Sequence, residues 1–212
     1  MGCFVHWGSG TMTDRAGVFA GDNPFEIIER WLGEATETEL RDPNAMSLAT
    51  VDKDGLPNAR IVLLKGLEAD SVVFYTNYES QKAQELEGAG AAALLFHWKT
   101  LGRQIRLRGK VTREDGEKAD AYYRSRPLQS RIGAWASAQS RVIESRGELE
   151  QKVQEFTDLY GDNPPRPPHW GGYRLNPTEI EFWCEGDFRL HDRFKWTCAE
   201  NNAGWSVSRL SP

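Results

Sequence analysis

Five short apolar runs closed by turn chemistry fill the stretch between Ala45 and Val111: "AMSLATV", "ARIVLLKG", "SVVFYTN", "AAALLFHW" and "RQIRLRGKV". Their length, their β-branched and aromatic content and the breaks between them, such as "DKDG" at 52–55, predict strands. Three more runs, "TEIEFWC", "FRLHDRFKW" and "WSVSRL", follow after Thr178. Helical patterns are fewer: "DNPFEIIERWLGEA", the short "SQKAQELEG", "REDGEKADAYYRSRP" and "RGELEQKVQEFTDLY". In the first, Asn23 can cap, Pro24 suits the first helical position, and Phe25, Ile28, Trp31 and Leu32 recur at helical spacing. Many short strands with a few helices argue against a doubly wound parallel sheet. The expected class is mainly β with peripheral helices, an antiparallel barrel closed on itself. The chain of 212 residues then divides into an N-terminal extension over 1–22, poorly ordered, and a single domain over 23–212. The Pro-rich stretch "NPPRPPHWGG" at 163–172 reads as a connector inside that domain.

The formal net charge of −5 gives no general attraction to nucleic acid or to an anionic membrane. Basic residues are nevertheless dense between Arg103 and Arg113, which suits a small anionic ligand better than a polymer. Three cysteines without a CxxC pair predict no disulfide framework and a reducing, cytoplasmic setting. No run approaches the ~18 apolar residues of a membrane span. "MGCFVHWGSGTM" lacks the charged start and apolar stretch of a signal peptide, and Met12 is a candidate initiator. His6 stands where a myristoylation start requires Ser or Thr.

Several familiar signals fail on context. "GAGAAA" at 88–93 matches a dinucleotide fingerprint but follows a helix and opens a strand, the reverse of what pyrophosphate binding needs. The sequence holds no Walker A, HExxH or GxSxG pattern, and its four His residues are scattered, so no metal site is expected. What remains is a set of basic and hydroxyl groups at element ends. Read as a strand, "FRLHDRF" at 188–194 puts Arg189, His191 and Arg193 on one face and Leu190 on the other. In "ARIVLLKG", Arg60 and Lys65 have opposite parity and serve different groups unless a bulge intervenes. "RQIRLRGK" alternates, with Arg106, Arg108 and Lys110 read as a solvated face and Gln104 free to meet a ligand amide or carbonyl. Tyr122 and Arg126 lie one helical turn apart, with Ser130 following in the turn, which together make a candidate phosphate site. Such groups, without a metal or nucleophile, suit a phosphorylated small molecule whose chemistry a cofactor carries.

From "NAM" at 44–46 to the terminal "RLSP", the sequence resembles the pyridoxamine (pyridoxine) 5'-phosphate oxidases. The resemblance includes "RIVLLKG", "FYTN", "RQ", "SRP", "IGAW", "QS", "WGG", "IEFW" and "RLHDR", over about four-fifths of the chain. It implies an FMN-binding split β-barrel that forms a homodimer with FMN at the interface. The implied flavin contacts are Arg60, Ile61, Val62, Leu63, Leu64, Lys65, Tyr75, Thr76, Gln81, Lys82, Gln104, Gln139, Ser140, Trp183 and Arg193. Lys65, Tyr122, Arg126 and Ser130 would grip the substrate phosphate. Arg189, Leu190 and His191 would lie at the pyridine ring, with Arg189 and His191 nearest the chemistry. The implied reaction transfers hydride from the substrate's C4' carbon to flavin N5, yields pyridoxal 5'-phosphate, and lets oxygen reoxidise the flavin to give hydrogen peroxide.

Two departures from the family pattern stand out. Gln81 replaces an arginine expected near the FMN phosphate, a change that weakens flavin binding by about 1–3 kcal/mol if uncompensated. "TDRAGVFAGDNPF" has Arg15 but no Tyr, so a substrate-closing lid is shortened or absent. The alternatives are a same-fold oxidase acting on another substrate, such as a phenazine precursor, and a non-catalytic protein that binds flavin or pyridoxal phosphate.

Overall fold

The computed structural model describes residues 15–199 and 204–212. Its strands are β1 (Ala45–Val51), β2 (Pro57–Leu63), β3 (Gly66–Leu67), β4 (Val72–Asn77), β5 (Ala91–Trp98), β6 (Arg103–Glu114), β7 (Trp170–Cys184), β8 (Asp192–Cys198) and β9 (Trp205–Leu210). All pair antiparallel, in the order β2-β1-β5-β6-β7-β4-β3, while β8 and then β9 continue from the second half of β7. β2 also packs against β4, so the sheet curls into a barrel, the class expected from the alternating runs.

One register row explains the core. Leu48, Leu94, Leu107, Ile180 and Trp196 face one another in order across β1, β5, β6, β7 and β8, and all are buried. Each large apolar side chain in that row contributes about 1.5–3 kcal/mol of burial free energy. Helix α1 (Pro24–Thr38) closes the row from outside. The Asn23 side chain accepts from the Phe25 amide at 3.0 Å, and Pro24 opens the helix as the sequence predicts. Its buried stripe is Phe25, Ile27, Ile28, Trp31 and Ala35, with Trp31 edge-on to Phe182 at 5.2 Å. Four further helices follow: α2 (Gln81–Ala89), α3 (Glu117–Ser125), α4 (Leu128–Ala136) and α5 (Arg146–Tyr160).

The structure departs from the sequence expectations in five places. "FRLHDRF" is not a strand throughout: Asp187–Arg189 is a 3-10 turn with Phe188 (φ 55°) and Arg189 (φ 68°) left-handed, and β8 begins at Asp192. Arg189, His191 and Arg193 therefore do not share a strand face. The connector at 163–172 ends early, because β7 starts at Trp170 and runs through Pro177. Pro177 has no N–H to give, and it sits at a bulge where Gly109 opposes it. A Cβ on Gly109 would collide with the Asn176 carbonyl, so only glycine fits there.

The run 59–66 also breaks. β2 stops at Leu63, and Lys65 lies before β3, with its amide bonded to the Val73 carbonyl at 2.8 Å. Arg60 and Lys65 thus belong to different segments, and parity does not relate them. Ser130, expected in a turn, lies inside helix α4, which the sequence reading did not predict. Of the expected extension, residues 15–22 are described, with Phe19 buried and Arg15 and Val18 half-buried, and the remaining part lies outside the described residues, as do His6 and Met12. Phe19 is buried between Trp31 and Phe194, at ring distances of 5.6 Å and 4.9 Å.

Candidate functional site

Two clusters of the expected site residues form. The first gathers where β4 ends and α2 begins. Lys82 Nζ donates to Thr76 Oγ1 (3.3 Å), Ser80 Oγ (3.3 Å) and Gln139 Oε1 (3.2 Å). Thr76 Oγ1 also lies 3.2 Å from Gln139 Oε1 as a donor. Ser140 follows in a left-handed turn (φ 70°), which aims the 137–140 loop back at this point, and Asn77 Nδ2 fixes it through the Ser137 carbonyl at 3.3 Å. Burial, and then the neighbouring Arg60, lowers the Lys82 pKa. An ammonium partly stripped of water, two hydroxyls and the first turn of a helix are the donor set that an anion such as phosphate takes. Gln81 is exposed at the first position of α2 and adds no charge.

Arg60 stands beside this cluster, tied by its own contacts. Its Nη2 lies 2.9 Å from Glu85 Oε2, and its Nη1 donates to Thr50 Oγ1 and to the Leu48 carbonyl. Glu85 is buried and also accepts from Asn58 at 3.1 Å. Of the run that follows, Ile61 is exposed and Leu64 is buried, with Val62 and Leu63 between.

Adjoining the first cluster is a stack of rings. Tyr75 lies parallel to Tyr122 at 4.2 Å and to Trp170 at 5.5 Å. Arg126 spans the Trp170 ring at 4.6 Å, and Lys65 Nζ lies 6.0 Å from the Tyr122 ring centre. Arg126 Nη1 is buried and has no hydrogen-bond partner among the described residues. Burial pushes the Arg126 pKa down. The structure thus brings Lys65, Tyr122 and Arg126 together as the sequence reading expects, although Arg126 sits just past the end of α3 rather than within it. Ser130 lies on the next helix, exposed.

The second cluster lies elsewhere on the barrel. Gln104, Trp183 and Arg193 are register neighbours across β6, β7 and β8, and with Leu95, Arg106 and Glu181 they line an open pocket of about 230 Å³. His191 packs its ring on Trp183 at 4.5 Å, and the Gly186 amide reaches His191 Nδ1 at 3.3 Å. Leu190 is exposed.

Arg106 and Glu181 are members of this pocket that the sequence reading missed, since Arg106 was taken for solvated surface. Alternation was the available signal: "EIEFW" opposite "RQIRLR" puts acids against arginines on one face. The two clusters occupy different parts of the sheet. Thr76 pairs with Gly171, so about 40 Å of β7 separates its row from Trp183. The other way round, five strand spacings, about 24 Å along the sheet, part Arg60 on β2 from Arg193 on β8.

Residues 32–160 match the family model described as pyridoxamine 5'-phosphate oxidase. The chain belongs to the pyridoxamine 5'-phosphate oxidase family. Residues 170–212 match that group's C-terminal dimerisation region. A pyridoxine/pyridoxamine 5'-phosphate oxidase of Roseobacter denitrificans is 62% identical over 201 residues, which is 95% of this chain and 100% of the relative. One from a Ruegeria species is 58% identical over the same shares.

Among solved structures, PhzG from Burkholderia lata, in complex with tetrahydrophenazine-1-carboxylic acid, superposes with a TM-score of 0.85 at 32% identity, covering 91% of this chain and 94% of its own. A pyridoxamine 5'-phosphate oxidase-related, FMN-binding protein from Nostoc punctiforme gives 0.72 at 18% identity, covering 91% and 100%, a likeness of fold. The split barrel expected of the family is therefore the observed fold. Among the described residues no helix is long and apolar enough to cross a membrane.

Proposed function

We propose that this chain is an FMN-dependent oxidase that converts pyridoxamine and pyridoxine 5'-phosphates to pyridoxal 5'-phosphate. Oxygen would be the acceptor and hydrogen peroxide the second product. The observation that carries the reading is the orphan guanidinium N–H of Arg126, buried beside Lys65 and Tyr122 in a chain 62% identical to an oxidase of that name. A buried donor without a partner is uncommon, and a ligand oxygen can complete it. A phosphate ester does so with charge.

The residues present fit a flavin mononucleotide. Lys82, Thr76, Ser80 and the first turn of α2 offer donors for its phosphate. Gln104, Trp183 and Arg193 offer an amide, a ring and a cation for its ring system. When bound, the flavin accepts hydride from the substrate carbon. The chain's own share is orientation: the phosphate held by Lys65, Tyr122, Arg126 and Ser130, the pyridine ring by Arg189, Leu190 and His191. Arg60 to Leu64, Tyr75, Gln139 and Ser140 would complete the cofactor cradle.

The separation of the two clusters supports a homodimer in which each flavin takes one cluster from each chain. The match of 170–212 to a dimerisation region supports the same arrangement. A phenazine-type substrate, as in the PhzG complex, is the weaker reading, because it offers no phosphate ester to Arg126. The deciding experiment is an anaerobic titration of FMN-loaded protein with pyridoxamine 5'-phosphate. Flavin bleaching that reverses with air, with pyridoxal 5'-phosphate formed, is the expected result. Flavin that binds and stays oxidised would sink the assignment.

A further inference from the structure

Glu181 is an expensive residue to keep where it is. Its side chain is 8% exposed, near the C-terminal end of β7, with the core on the other face. Replacing a buried ion pair with well-packed apolar groups is often neutral or stabilising, so a buried carboxylate is weak evidence for stability and better evidence for geometry. The geometry here is specific. Glu181 Oε1 accepts from Arg193 Nε at 2.8 Å and lies 2.7 Å from its Nη2, while Oε2 takes Nη2 of Arg106 across the strand. On its other side, Arg193 Nη1 donates to the Ser211 carbonyl at 2.9 Å, at the end of the chain. Two of the five guanidinium N–H groups are thus hydrogen-bonded and Nη2 is held by the ion pair, which leaves further N–H groups for the pocket it shares with Gln104 and Trp183.

From this we infer that Glu181 and the Ser211 carbonyl are positioning groups for the flavin. They act through Arg193, holding its plane so that its remaining N–H groups meet the cofactor without first losing rotamer freedom. The inference rests on the flavin reading above. Glu181 also lines the pocket, but its carboxylate oxygens are turned to Arg193 and Arg106. Without Glu181, Arg193 is held only by Ser211 and can turn out to solvent. Without Ser211, the plane is free to pivot about Glu181. Arg106 neutralises the second carboxylate oxygen, so the trio keeps one net positive charge facing the pocket.

The test is FMN affinity, read by quenching of flavin fluorescence, in the full-length protein and in Glu181→Gln, Arg193→Gln, the double variant and a chain ending at Leu210. Glu181→Gln is expected to weaken FMN binding about ten-fold, the lower range for a charge-assisted hydrogen bond. The double variant should bind no more weakly than Arg193→Gln alone, because Glu181 has no effect once its arginine is gone. The shortened chain should also bind more weakly than the full-length protein.

Unchanged affinity in a folded Glu181→Gln protein, or additive losses in the double variant, would overturn the proposal. If Glu181→Gln does not fold, Glu181→Asp, which keeps the charge but shortens its reach to Arg193, decides instead. Unchanged affinity there overturns the proposal. Full-length protein that takes up no FMN would instead remove the flavin reading itself.

Discussion

Replacing Arg126 with Met should separate binding from stability. Arg126 and Arg174 are both mostly buried cations, with opposite bookkeeping. Arg174 is paired with Glu68 at 2.7 Å, and also with Glu114 and Ser71. Stranding partners like these typically costs about 3–5 kcal/mol. Arg126 has no ion pair among the described residues, and its Nη1 is buried and unpartnered. An unsatisfied buried donor of this kind costs about 1–3 kcal/mol. Its contacts with the Trp170 ring at 4.6 Å and the Tyr123 ring at 5.9 Å return about 0.5–2 kcal/mol. The terms nearly cancel, so Arg126→Met should leave stability within about 1 kcal/mol, or 2–4 °C in melting temperature. A charged hydrogen bond to a substrate phosphate contributes about 1.5–3 kcal/mol, so KM for pyridoxamine 5'-phosphate should rise roughly 10- to 150-fold. Initial rates of pyridoxal 5'-phosphate formation and a thermal melt measure both. A melting temperature lowered by about 10 °C, or an unchanged KM, would refute the reasoning.

Three other outcomes follow from the same geometry. Hydrogen bonds from Arg174 and then Lys118 hold the Glu68 carboxyl down at about 2, from an ordinary 4.5. The depressed pKa makes its stabilisation fully present above about 4.5 and lost as pH falls towards 2, so the urea midpoint should drop across that window and drop less in Glu68→Gln. Gln81→Arg, at an exposed helix start beside Lys82, should tighten FMN binding by about 3- to 10-fold at low salt and less at high salt, measured by fluorescence titration. Gly109→Ala should destabilise by about 3 kcal/mol or more in urea unfolding, because the new methyl meets the Asn176 carbonyl and the bulge at Pro177 cannot relax away from it.

Legibility in the sequence followed the range of the interactions involved. The cap at Asn23 and the alternation of "RQIRLR" were readable because each depends on neighbours within a few residues. Rejecting "GAGAAA" also held: Gly90 ends α2 in a left-handed turn, and β5 starts at Ala91. The turn at 187–191 was misread because its alternation imitates a strand. Its left-handed Phe188 and Arg189 lie in a turn whose Leu190 carbonyl comes so close to Gly186 that no side chain fits there. Helix α4 was missed because Pro127 reads as an end, although it also suits a helix start. Glu181 was passed over because an acid inside "IEFW" looks like an outward residue until β6 and β8 bring arginines to it.

By itself the sequence determined the antiparallel class, the start of α1 and, through its resemblance to a family, the roster of candidate residues. Those depend on periodicity and local backbone chemistry, which are written along the chain. Tertiary structure decided which candidates meet. It joined Lys82 to Thr76 and Gln139, and set Arg126 unpartnered against Trp170. It also parted both from Trp183 and Arg193 by most of the length of β7. Those outcomes depend on register and on the curl of the sheet, where a shift of one residue turns a side chain to the opposite face. No single segment of the chain carries that information, because each pairing is fixed by the packing of all the others.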